Sequence, residues 1–122
     1  MTALQCNMSR ILIVDDEPEN REALKLALGD ENPDWELFTA RSDAEGISIV
    51  EEQLTKQEPI DVVLTDLVMD TEKSGMNMLQ EARKLDPLIM AILFTAKEKS
   101  LDRYAAFDYG AFDVVYPFNI TD

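Results

Sequence analysis

Short uninterrupted apolar runs alternate along the chain with stretches whose apolar residues recur at helical spacing. Ile11-Leu12-Ile13-Val14 is apolar at every position, as a strand buried on both faces should be. Residues 18–28 predict a helix opened by Pro18, with Leu24, Ala27 and Leu28 on one side and Gly29 as its stop. Residues 35–40 alternate weakly and predict an edge strand. Ser42-Asp43-Ala44-Glu45 has the form of a capping box, and Ala44, Ile47, Val50 and Leu54 would form the inner stripe of the helix behind it. After Pro59, residues 60–64 predict a third strand. A helix from about Gly75 to Leu85 would bury Met78, Ala82 and Leu85, and Asp86-Pro87 would end it. Residues 88–94 predict a fourth strand, residues 100–109 a short helix stopped by Gly110, and residues 112–115 a fifth strand.

Strands that alternate with helices through short connections imply a parallel sheet covered by helices, an α/β fold. Residues 1–8 are expected to be an N-terminal tail and residues 9–122 a single domain, without internal repeats. Residues 119–122 leave room for no more than the start of a fifth helix, so that helix is expected to be truncated or absent. Further chain or a partner would then cover the apolar surface of the fifth strand.

Composition narrows the function. Of 122 residues, 46% are hydrophobic, which suits one domain with a real core. The longest apolar run, 88–94, is too short to span a bilayer, and no leader-like segment is recognised at the start. One cysteine, Cys6, allows no internal disulfide and fits a reducing compartment, so a cytoplasmic location is expected. The net charge of −14, from 25 acidic and 11 basic residues, argues against direct contact with nucleic acid. The absence of histidine removes imidazole bases, His–metal sites and Ser-His-Asp hydrolysis together.

In an open parallel sheet, sites form beyond the carboxyl ends of the strands. Those ends carry Asp15 and Asp16 after the first strand, Asp66 after the third and Thr95 after the fourth. Two carboxylates about 4 Å apart repel by about 4 kcal/mol at an effective dielectric near 20. Either one keeps its proton or a cation sits among them, and an all-oxygen donor set suits Mg²⁺. A free oxygen of Asp66 could then attack phosphorus, with Thr95 hydrogen-bonded to a phosphoryl oxygen. Each residue also has a plainer reading: Asp15 and Asp16 as caps of the first helix, Asp66 as a turn residue, Thr95 as a satisfied strand-end hydroxyl.

Four segments carry a family resemblance: Ile11-Leu12-Ile13-Val14-Asp15-Asp16-Glu17-Pro18, Asp61-Val62-Val63-Leu64-Thr65-Asp66-Leu67-Val68-Met69, Phe94-Thr95-Ala96 and Gly110-Ala111-Phe112-Asp113. In this order and spacing the chain, over about residues 9 to 118, resembles the receiver domains of bacterial two-component response regulators. The resemblance implies a flavodoxin-like doubly wound sheet with strand order 2-1-3-4-5. It implies a phosphorelay signalling switch rather than an enzyme, limited to its own phosphorylation and dephosphorylation. Asp66 would be the phosphoacceptor, charged by a sensor histidine kinase or a histidine phosphotransfer protein. Asp16, Asp66 and the backbone carbonyl of Val68 would hold Mg²⁺, with Asp15 acting through water and Thr95 as the switch hydroxyl.

The chain departs from that pattern at three places. Asp70 stands where the family has proline, and the loop before Gly75 is one residue longer. Tyr116 occupies the place of the lysine in the family's Lys-Pro pair, and no Lys or Arg follows Arg103. Val114 falls at the aromatic switch position. Lys97, two residues past Thr95, is the nearest substitute for the lysine, its alternative being a solvated loop side chain. The competing reading is a pseudo-receiver, the same fold used as a phosphorylation-independent interaction module. A Mg²⁺-dependent phosphatase would want Asp-x-Asp after the first strand, and a flavodoxin-like cofactor binder a glycine- or hydroxyl-rich loop there. Six of the nine aromatic residues fall in 104–118, so Tyr104, Tyr109 and Tyr116 are expected to mark a face for self-association or effector docking.

Overall fold

Five parallel strands form one sheet in the order β2-β1-β3-β4-β5. The computed structural model describes residues 9–66, 74–94 and 113–115. Its elements are β1 (Arg10–Val14), α1 (Pro18–Glu31), β2 (Glu36–Ala40), α2 (Asp43–Thr55), β3 (Val62–Asp66), α3 (Ser74–Leu85), β4 (Met90–Phe94) and β5 (Asp113–Val115). The expected strand order is therefore observed, and β2 is the edge strand its weak alternation predicts. The expected helix over 100–109, the tail before residue 9 and the segment after 115 lie outside the described residues.

Register assigns the two faces. Leu12 lies beside Phe38 and Val63, and Val63 beside Ala91, so these positions share one face. There Leu12, Val14, Val63 and Ala40 join Val50 of α2 and Met78 and Ala82 of α3 in one core cluster. Ile11, Ile13, Leu37, Val62, Leu64, Met90 and Ile92 share the other face. Helix α1 lies on that side, where a side-chain carbon added at Gly29 would stand 3.5 Å from Leu37.

Several local expectations are corrected. Helix α1 runs through Gly29 to Glu31 and ends at Asn32, whose backbone and side-chain nitrogens both donate to the Leu28 carbonyl, each at 3.0 Å. A helical glycine costs only about 1 kcal/mol against alanine, too little to end a helix that has a cap one turn further on. Ala27 is exposed rather than inward, and so is Ala44. The inner stripe of α2 is instead Gly46, Val50 and Gln53, with Ile47 and Leu54 half-buried. At Gly46 a Cβ would stand 2.8 Å from Met78 Sδ and 3.1 Å from Val14 Cγ2, so a side chain there would displace the end of Met78. In α3, Met78, Leu79 and Ala82 are buried whereas Leu85 is exposed. Strand β3 begins at Val62, with Ile60 buried ahead of it, and β4 at Met90. Leu88 is 89% exposed because it belongs to a turn, where its N–H donates to Asp86 Oδ1 at 3.0 Å.

The cap of α2 forms as the motif predicts. Ser42 Oγ accepts from the Glu45 N–H at 3.1 Å, although the Glu45 carboxylate accepts from Arg41, one residue before the cap. At the other end Glu58 N–H donates to Gln53 O and Gln57 N–H to Leu54 O, a Schellman closure with Gln57 at φ 63° where glycine is usual. Among the described residues no helix is long and apolar enough to cross a membrane.

Candidate functional site

The chain runs from β1 to one side of the sheet, β2, and then returns past β1 to place β3 on its other side. The crevice at the carboxyl ends of β1 and β3 is thus the switch point of the topology, where ligands of such sheets bind. Val14 pairs with Thr65, so Asp15, the first residue past β1, and Asp66, the last of β3, stand side by side at the carboxyl edge of the sheet. One carboxylate oxygen each from Asp15, Asp16 and Asp66 lies within 4.8 Å of the others. Asp15 is fully buried, Asp16 exposed and Asp66 half-buried.

At that separation two ionised carboxylates repel by roughly 3 kcal/mol at an effective dielectric near 20. Burial pushes the Asp15 carboxyl above the ordinary aspartate range, and the charges of Asp16 and Glu17 push the same way. Hydrogen bonds from the Glu17 backbone and the Asn20 side chain act against this. Hard, oxygen-only donors of mixed burial, crowded enough to repel, fit a small divalent cation that keeps some of its waters.

Helix α1 makes its contacts with Asp15 through its first turn. The Glu17 N–H donates to Asp15 Oδ1 at 2.9 Å, Asn20 Nδ2 to Asp15 Oδ2 at 3.3 Å and Arg21 Nη1 to the Asp15 carbonyl at 2.8 Å. The helix-capping alternative for Asp15 is thus partly realised: its carboxylate binds the N-cap N–H, while the Glu17 side chain makes no cap. Asn20 and Arg21 escaped the sequence reading. Their signal was positional, since Asn20 is the third residue of the helix, where side chains ordinarily reach back to the cap.

Of the sequence-derived candidates, Asp15, Asp16 and Asp66 are brought together. Val68, Thr95, Lys97, Tyr116 and the other aromatic residues between 104 and 118 lie outside the described residues, which in that stretch are only those of β5.

Known proteins with the same features are numerous. Residues 11–119 match the response regulator receiver domain family. The transcriptional regulatory protein GlrR of Escherichia coli is 35% identical over 85% of this chain, which covers 22% of that protein. The probable transcriptional regulatory protein TcrX of Mycobacterium tuberculosis is 33% identical over 92% of this chain and is covered over 45% of its length. The chain thus spans less than half of each of these relatives. Among solved structures, a response regulator receiver domain protein from Clostridium thermocellum superposes with a TM-score of 0.75 at 32% identity, covering 89% of this chain and 82% of that one. The response regulator TrrA from Thermotoga maritima, solved in complex with Mg²⁺ and a beryllium fluoride, gives a TM-score of 0.65 at 32% identity over 89% of this chain and 86% of that one. With the strand order, the carboxylate cluster at its switch point and a family match that reaches almost from end to end, the chain belongs to the response regulator receiver domains.

Proposed function

We propose that this domain is a phosphorylation-dependent signalling switch that accepts a phosphoryl group on Asp66 with the help of Mg²⁺. The observation that carries the reading is the convergence of Asp15, Asp16 and Asp66 at the β1–β3 switch point. An oxygen of Asp66 attacks the phosphorus of a donor, an O–P bond forms, and the bond from phosphorus to the donor breaks with its electron pair leaving on the donor, which takes a proton from water where its leaving atom is basic. The product is an acyl phosphate. Asp16, Asp66 and the Val68 carbonyl would hold Mg²⁺, and Asp15 would reach it through water. When bound, the cation would neutralise charge on the phosphoryl oxygens. Thr95 would hydrogen-bond one of those oxygens.

A sensor histidine kinase or histidine phosphotransfer protein is the proposed donor, in the cytosol. The output would pass through protein contacts by the face spanning 104–118, as a homodimer or onto an effector. The names of GlrR and TcrX point to transcriptional regulation as the output of a longer protein. The pseudo-receiver reading is favoured by one feature, Tyr116 in place of the lysine with no basic residue after Arg103. Lys97 is the proposed substitute, and an exposed ammonium there would contribute about 1 kcal/mol or less.

The test is incubation of wild type, Asp66→Asn and Lys97→Ala with Mg²⁺ and acetyl phosphate, the added mass being followed over time. Wild type should gain one phosphoryl group and Asp66→Asn none, while Lys97→Ala should label more slowly. Labelling that survives Asp66→Asn removes the acceptor assignment. A wild type that never labels, from small donors or from a kinase, leaves the pseudo-receiver.

A further inference from the structure

The three carboxylates differ in how much the fold constrains them. Asp15 is fully buried, yet the last torsion of an aspartate side chain is broad, so burial alone does not decide which way its two oxygens point. Hydrogen bonds must do so. Two donors reach the carboxylate, one on each oxygen: the Glu17 N–H on Oδ1 and Asn20 Nδ2 on Oδ2. The first is backbone and comes with the chain's turn into α1. The second is a side chain, and it is the one that sequence can change.

We infer that Asn20 is a positioning residue for the metal site, fixing the plane of the Asp15 carboxylate so that it faces the Asp16–Asp66 side of the crevice. This rests on the reading of that cluster as a Mg²⁺ site. An ionised carboxylate accepts on both oxygens, each with two lone pairs, so one donor per oxygen leaves capacity for the water shell of a cation. Arg21 completes the arrangement from the next position, its guanidinium holding the Asp15 carbonyl at 2.8 Å and with it the backbone from which the carboxylate projects. The alternative is that Asn20 is merely a first-turn residue of α1. The two roles separate cleanly because Asn20 is exposed, so shortening it removes little packing. A change confined to metal affinity would be the mark of positioning.

Partners that orient a metal-binding group typically change affinity about 10- to 100-fold when removed, and the 3.3 Å bond, long for its kind, places the expectation near the lower end, about tenfold. The experiment titrates Mg²⁺ into wild type, Asn20→Ala, Asn20→Leu and Asn20→Gln. It follows the ¹³C signals of the aspartate carboxyl groups by NMR, and thermal melting is recorded without metal. Asn20→Ala and Asn20→Leu should bind Mg²⁺ about tenfold more weakly with nearly unchanged melting. Their Asp15 carboxyl signal should also be displaced before any metal is added. Asn20→Gln keeps the amide donor and should restore much of the affinity, which bulk alone, in Asn20→Leu, should not. Wild-type affinity in Asn20→Ala and Asn20→Leu overturns the inference and leaves the metal site standing. Losses matched by a fall in melting temperature, or no better binding with Gln than with Leu, assign Asn20 a structural role instead. A wild type that does not respond to Mg²⁺ overturns the site itself, and the inference with it.

Discussion

The two faces of the sheet are built differently. On the face covered by α2 and α3, alternate positions of β3 and β4 are sealed: Val63, Thr65, Ala91 and Leu93 are all 0% exposed. On the α1 face their neighbours Val62, Leu64 and Ile92 are only half-buried, and Met90 is 45% exposed. The helices repeat the contrast. Buried residues line α2 and α3, whereas α1 has none among its 14 residues and leaves Leu26 65% exposed. Ile11 and Ile13 of β1 are nonetheless buried on the α1 face, so the openness lies at β3, β4 and the helix itself, whose first-turn polar contacts gather at Asp15. The helix that reaches the carboxylate cluster is thus the one without a fully buried residue, in keeping with functional segments being drawn from the less tightly packed parts of a fold.

The contrast can be broken most directly at Met78, buried against the sheet with Gly46 beside it. Met78→Ala should destabilise by about 3 kcal/mol, through lost burial and an unfilled cavity. Chemical denaturation measures this, and a loss below about 1 kcal/mol would mean that the closed face is not the main source of stability.

A smaller effect is expected from pH. Burial raises the Asp15 carboxyl above its ordinary 3.8, so between that value and the raised one the folded protein holds a proton that the unfolded chain has released. Stability from this group is therefore greatest at low pH and is lost as pH rises through that window. Above it the ionised carboxylate opposes folding unless a cation is present. Metal-free melting followed upward from pH 3.8 should show this decline. Asp15→Asn should flatten it, and Mg²⁺ should offset it in wild type only. An unaltered pH slope in Asp15→Asn would dissociate the site from the stability of the α1 side.

The smallest effect sharpens the comparison from the other face. Leu26→Ala on α1 should change stability by no more than about 0.5 kcal/mol, the range of a surface substitution. A loss approaching that of Met78→Ala would show that Leu26 is covered in solution, by a second copy or another protein, and concentration-dependent sedimentation would distinguish the two.

Much of this was legible in the sequence because strand positions declare themselves locally. Ile11-Leu12-Ile13-Val14 could not be solvated on either face, and Asp15, Asp16 and Asp66 follow directly from strand ends. Ser42 was legible as a cap because its bond is made within three residues. Periodicity was less informative where apolar residues were plentiful: Ala27, Ala44, Leu85 and Leu88 all fit their stripes or runs, yet all are exposed. Whether such a residue is buried depends on what lies opposite it, and a helical period carries no information about a neighbour. The same limit concealed the importance of Gly46, whose missing side chain matters only because Met78 and Val14 close on it from distant parts of the chain. Asn20 was unremarkable as a letter, since its role exists only once the turn into α1 brings its amide to Asp15. The sequence by itself determined the alternation of strands and helices and the strand-end placement of the acids, because both follow from local hydrophobic pattern and chain direction. Only the tertiary structure decided which face was sealed and which side chains orient the acids, because packing and hydrogen bonding between remote segments depend on where the sheet places them.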